Sequence, residues 1–239
     1  MRELTSQAQT MHVYERLRAE ILAGGFAQDR PISQIKLAAR LGVSRTPLRE
    51  ALRMLERDRL IRAQQNRQVR VTPLSVVDLE ELYATRITVE ALALRISLPR
   101  IGVPEFDELD TAIEAMHVAS LDRDVALWEV PHRRFHGLLR SNAGERVVQL
   151  ADELAAHGER YRRVYLTEPI AWSSAETEHR EIAAACRARD GRLAAELLAR
   201  HLARTALTVI ASMAPEHDAL PVRTAIRMVA GITETKEDT

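Results

Sequence analysis

The chain has 239 residues, enough for one large or two ordinary domains, and its 46% hydrophobic content is mostly aliphatic, with aromatics at 4%. Short Val/Ile/Thr runs in such a composition predict a mainly helical protein and exclude an all-β one. Net charge is zero, which alone argues against a nucleic-acid partner; however, residues 1–72 carry 14 Lys/Arg against 7 Asp/Glu, whereas residues 73–239 carry 20 against 27. A basic first third joined to an acidic remainder is the asymmetry of a DNA-binding domain with a second domain that avoids DNA. One cysteine, Cys186, excludes an intrachain disulfide and suits a reducing cytoplasm. No apolar run approaches 18 residues and no signal-peptide pattern is visible, so no membrane partner is expected.

In chain order, residues 1–9 read as a lead-in. From Thr10, the stripe Val13, Leu17, Ile21 and Leu22 predicts a helix ending at Gly24-Gly25. Residues 26–31 form a loop, and Ser33 caps a second helix carrying Leu37, Ala38 and Leu41. Gly42 supplies a left-handed stop. A third helix over Ser44–Arg57 follows, with Ser44 as N-cap, its hydroxyl expected to take an orphan N–H, and Pro47 in the first turn. Leu48, Ala51, Leu52 and Leu55 make its buried stripe; Arg45, Thr46, Arg49 and Arg53 line the opposite face. This is a helix-turn-helix with a reading helix suited to double-stranded operator DNA, an ordinary helical hairpin with a solvated basic face being the alternative. Leu60-Ile61-Arg62 and Val69-Arg70-Val71 flank a polar tip over 64–68 and predict a β-hairpin wing. Arg62, Arg67 and Arg70 suit phosphate or minor-groove contact there, or simply a solvated turn.

Pro73 stops strand pairing, and residues 73–78 read as a linker. Helices are then predicted over Ser75–Leu98, Pro104–Ser120, Arg123–Arg140, Gly144–Leu166, Ser173–Ala188 and Gly191–Met213, an all-α bundle of six. The domain plan is 10–72 winged helix-turn-helix, 73–78 linker, 79–215 helical effector-binding and dimerisation domain, and 216–239 C-terminal tail.

VYERLRAEILAGGF, LAARLGVSRTPLREALRMLERDRLI and PLSVVDLEELYATRITVEALALRIS together resemble the GntR family of bacterial transcriptional regulators, in its FadR subfamily, whose all-helical second domain is called FCD. The likeness covers about residues 10–215. Gln28-Asp29 replaces the family's Pro-Gly, Arg59 replaces a Gly after the reading helix, and the tip Asn66-Arg67-Gln68 lacks the family's wing Gly.

His132 and His136 stand at i, i+4 on one helix face, His179 lies near the start of the next-but-one helix, and His201 sits on the stripe Leu197-Leu198-His201-Leu202. Spacing alone leaves these as satisfied or surface histidines. The resemblance implies otherwise: FCD domains commonly bind a divalent metal through an Asp and three His, the latter matching His136, His179 and His201. His132 stands where the family often has Asp, which makes it the fourth ligand and favours Zn or Ni over Mn or Mg. Arg86 matches an Arg that the family carries on its first FCD helix. It is expected to anchor the carboxylate of a small organic-acid effector, the alternative being a structural ion pair with Glu90 at i+4. His12, His117, His157 and His217 read as surface or packing residues, and Trp128 and Trp172 as core.

The implied function is a metabolite-responsive transcriptional regulator acting as a homodimer on a symmetric operator. A DNA binder with a structural bundle and no effector is the alternative. A metal-dependent hydrolase fails because Arg133 stands where the i, i+4 histidine chemistry needs a Glu base.

Overall fold

The computed structural model describes residues 6–27, 30–64 and 68–231, and the chain divides between Leu74 and Ser75 into two compact units. The first holds α1 (Ser6–Leu22), β1 (Ile32–Ser33), α2 (Gln34–Leu41), α3 (Arg45–Arg57), β2 (Ile61–Gln64) and β3 (Gln68–Val71). Val13 and Leu17 of α1, Leu37 of α2, and Leu48, Ala51, Leu52 and Leu55 of α3 share one core with Leu60, Ile61 and Val69. Burying each such Leu or Ile side chain is worth about 1.5–3 kcal/mol, so this core alone can hold three short helices that would be marginal in isolation. Gly42 closes α2 at φ 67°, as its position predicts.

Two local expectations change. Ser44 is the N-cap of α3, but its side chain makes no capping bond. Pro47 occupies the third helical position and has no N–H, which removes the donor an N-cap hydroxyl most often accepts from. The wing pairs antiparallel as expected, Ile61 opposite Val71 and Arg62 opposite Arg70, yet β3 also pairs with β1, Ile32 opposite Val69, in a three-stranded sheet ordered β1-β3-β2. A two-residue strand is too short to show a period in sequence.

The second unit comprises α4 (Val76–Ser97), a 3₁₀ turn (Leu98–Arg100), α5 (Val103–Leu121), α6 (Val125–Arg140), α7 (Glu145–Tyr165), α8 (Pro169–Arg187), α9 (Gly191–Met213) and α10 (Leu220–Ala230). Helix α4 is central, packing on α7, α9 and α10 and burying Leu79, Tyr83, Ile87 and Leu94. Residues 75–78, expected in the linker, belong to this unit. Ser75 caps α4 by accepting from Asp78 N, and Tyr161 Oη donates to the Asp78 carboxylate at 2.6 Å and lies 3.1 Å from the Ser75 carbonyl oxygen. Helix α8 starts at Pro169, four residues before the predicted Ser173, since the first turn needs no N–H from a proline.

The segment expected as a tail from 216 contains α10, so the described part of this unit has seven helices, not six. Val222 and Ala225 are buried, and Gly231 ends the helix left-handed at φ 72°. Val222, Ala225, Ile226 and Val229 recur at i, i+3, i+4 and i+7, so the sequence does carry a helical stripe here that the expected tail overlooked.

Candidate functional site

In the first unit, Ser44, Arg45, Thr46, Arg49 and Arg53 all lie on the exposed face of α3, opposite the buried leucines. Arg53 Nη1 donates to Glu50 at 2.9 Å, and Arg49 Nε stands 3.6 Å from the same carboxylate. Arg45 and Thr46 line a surface hollow with Gln34, Ile35, Leu48 and Arg49. Arg67 lies outside the described residues.

In the second unit, His132 and His136 come from α6, His179 from α8 and His201 from α9, all buried, with one nitrogen of each lying within 4.8 Å of the others. Helix α6 delivers two of them because its inward face repeats at four residues and is set by Trp128, Phe135 and Leu139. Trp128 stacks on His132 with centroids 4.4 Å apart, so it belongs to the core as expected and also walls the cluster.

Burial pushes the His132 ring well below its usual pKa, with Arg162 and the neighbouring imidazoles adding to the effect. Burial likewise lowers His179, then His201 and His136. His136 falls to about 3, burial outweighing the opposing pull of Glu90. These rings are therefore neutral at physiological pH. Both ring nitrogens of His132, both of His136 and Nε2 of His179 are buried without a hydrogen-bond partner. Orphaned lone pairs in an apolar interior are costly unless a ligand takes them. Four converging imidazoles, each offering one nitrogen, are a donor set that could hold a divalent metal ion.

Beside the histidines runs a buried charged network. Arg86 Nε donates to Glu90 Oε1 at 2.8 Å, and Glu90 Oε2 lies 3.5 Å from Arg140 Nη1 and 3.7 Å from His136 Nδ1, the last too long for a hydrogen bond. Burial would raise Glu90, but Arg86, with His136 and Arg140 behind it, holds it well below the usual carboxylate range. Arg162 makes a two-pronged pair with Glu129, both buried. Arg86 therefore has the Glu90 partner that its spacing allows, while its Nη1, Tyr83 Oη and Arg140 Nη1 make no hydrogen bond.

Glu90 was visible in sequence as the i+4 partner. Arg140, one turn beyond His136, carried a spacing signal of the same kind. Tyr83, three residues before Arg86 and under its guanidinium at 4.7 Å, carried one too, whereas Glu129, Arg162 and Glu178 left no such mark, because their contacts cross between helices. His117 and His217 pair with Glu176 and Glu80 at 3.0 and 2.8 Å.

A winged helix-turn-helix joined in sequence to an all-α unit with a buried polar interior is an architecture of DNA-binding transcriptional regulators. Residues 9–71 match the model of the bacterial regulatory proteins of the gntR family, and residues 81–204 match that of the FCD domain. The chain belongs to the GntR family and carries an FCD domain. It is 27% identical to the HTH-type transcriptional repressor GlaR of Escherichia coli, over 79% of this chain and 90% of that protein. It is 32% identical to the uncharacterised HTH-type regulator YdhC of Bacillus subtilis, over 54% of this chain and 58% of that one. The solved structure of E. coli McbR/YncC superposes with a TM-score of 0.73, covering 86% of this chain and 98% of that chain at 19% identity, a likeness of fold.

Proposed function

We propose that this regulator, a member of the FadR subfamily, reads a symmetric operator as a homodimer, and that its second domain senses a small organic acid beside a bound divalent metal. The observation that carries this reading is the convergence of four buried histidines with five ring nitrogens lacking hydrogen-bond partners. His132, His136, His179 and His201 would hold the ion; when bound, it supplies positive charge to an incoming carboxylate. Zn or Ni suits four nitrogen donors better than Mn or Mg, which prefer oxygen. Arg86 offers its unpartnered Nη1 to the acid while Nε stays on Glu90. Operator contact rests on Ser44, Arg45, Thr46, Arg49 and Arg53, with Arg67 in the wing.

The test combines metal content and melting temperature, before and after chelation, with operator binding under a panel of organic acids. Metal-loaded protein should melt higher, and one acid should change operator affinity. A chelator-indifferent protein whose operator binding ignores every acid would favour a structural bundle, in which Arg86 is the ion-pair partner of Glu90 and nothing more.

A further inference from the structure

His201 differs from the other three histidines in what holds it. Its Nδ1 stands 2.9 Å from Oε2 of Glu178 on α8, and the other oxygen of that carboxylate pairs with Arg204 of α9. His179 is tied to the Ala175 backbone carbonyl, and the ring nitrogens of His132 and His136 have no hydrogen-bond partner at all. Among the described residues, Glu178 is thus the carboxylate within hydrogen-bond reach of the four-histidine cluster; Glu90, at 3.7 Å from His136, falls short.

A carboxylate accepts and does not donate, so His201 carries a proton on Nδ1 and can meet a metal only through Nε2. To do so Nε2 must hold a bare lone pair, the form a metal requires. The arrangement also answers a charge problem. Four imidazoles are neutral, so an ion among them keeps both positive charges, and a carboxylate bonded to the far side of one ligand makes that ring a stronger donor. Glu178 is 13% exposed and held by Arg204, so it is fixed in place without being sealed from solvent. Its sequence neighbour His179 is itself in the cluster; α8 therefore supplies one histidine directly and aims another, on α9, through its carboxylate.

We propose that Glu178 is the positioning residue of the metal site, holding His201 in the Nδ1–H form with Nε2 turned to the ion. This rests on the metal reading above.

The full-length protein is titrated with Zn²⁺, and separately Ni²⁺, against a competing chelator at fixed pH, as wild type, Glu178→Ala and Glu178→Gln. Loss of such an outer partner should weaken metal binding about 10–100-fold in Glu178→Ala. Glu178→Gln, whose amide oxygen can still accept from Nδ1–H, should recover part of that loss. The metal-free melting temperatures, measured in chelator, separate a packing defect from a metal defect. ¹⁵N shifts of the imidazoles in metal-free wild type should place the His201 proton on Nδ1.

Wild type that binds metal while Glu178→Ala binds it equally well overturns this assignment and leaves the metal reading intact. So does a His201 proton found on Nε2, which decides the matter even if Glu178→Ala does not fold. Wild type that binds neither ion overturns the metal reading and this assignment together.

Discussion

Arg86 and Glu90 form an ion pair one helical turn apart on α4, at 2.8 Å, with side chains only 1% and 2% exposed. Such a pair contributes little net stability over an apolar one, but breaking it strands a charge in the interior. Arg86→Ala is expected to destabilise the fold by about 3–5 kcal/mol, with Arg140 at 3.5 Å from Glu90 giving partial compensation. The double variant Arg86→Gln/Glu90→Gln removes both charges and should lose clearly less. Denaturant unfolding of the three proteins measures the difference. A double variant as unstable as the single one would show that stranded charge is not the cause. It is also the background in which loss of the effector response can be read without a folding defect.

Gly158 of α7 carries a second consequence of the same pair. A Cβ there would collide with Arg86 Nη1 and lie 3.2 Å from its Cζ and 3.5 Å from Tyr83 Oη. In an ordinary helix interior, Gly→Ala stabilises by about 1 kcal/mol. Here Arg86 is buried and cannot swing into solvent, so Gly158→Ala should destabilise by about 1–3 kcal/mol. Shortening the neighbour with Arg86→Gln should suppress the defect. A Gly158→Ala protein that melts above wild type would refute the packing argument.

Acid should unfold the metal-free protein early. His132, His136 and His179 have folded pKa values below the ordinary 6.5, so the unfolded chain binds more protons than the folded one as pH falls through that value. Their stability is fully present above pH 6.5 and is lost below it, down to about pH 3 for His136. The slope is up to about 1.4 kcal/mol per pH unit for each ring. Glu90 acts in the same direction at lower pH, since its depressed carboxyl must protonate on unfolding. Unfolding free energy measured in chelator should stay level from pH 8 to about 6.5 and fall from there to pH 5. A flat profile would mean that these rings carry solvent-like pKa values in the folded protein.

Much of this molecule was legible in sequence because its signals are local. The stripe Leu48, Ala51, Leu52 and Leu55, the Gly42 stop and the polar wing tip each act within one or two turns, and the elements they predict are present. Arg59, standing where the family has Gly, is left-handed at φ 54°, which explains the family's preference there. The four histidines could be listed from the family resemblance, but their convergence depends on how α6, α8 and α9 pack. Glu178, Arg162 and Glu129 were invisible for the same reason: each meets its partner across a helix interface. Strand β1 was missed because two residues are too few to make a pattern, whereas α10 carries the stripe Val222, Ala225, Ile226 and Val229 and was legible.

The exposed face of α3 makes distinct claims for its arginines. Arg45 and Arg49 project beside Thr46 near the helix start, where a reading helix meets base edges. Each is expected to contribute about 1–3 kcal/mol through a bidentate guanine contact, lost in Arg45→Ala or Arg49→Ala with altered base preference at defined positions. Arg53 is different, because Glu50 already holds it at 2.9 Å, and contact with DNA must first release that pair. Arg53→Ala should therefore weaken binding to all sequences alike and reduce the salt dependence by about one phosphate contact. Ser44 adds a hydroxyl that makes no capping bond within the helix, so Ser44→Ala should lower operator affinity while leaving the melting temperature nearly unchanged. Operator titrations at several salt concentrations, on a panel of single-base variants, measure all four. Arg45→Ala and Arg49→Ala proteins that keep wild-type affinity and base preference would put the reading surface elsewhere on this unit.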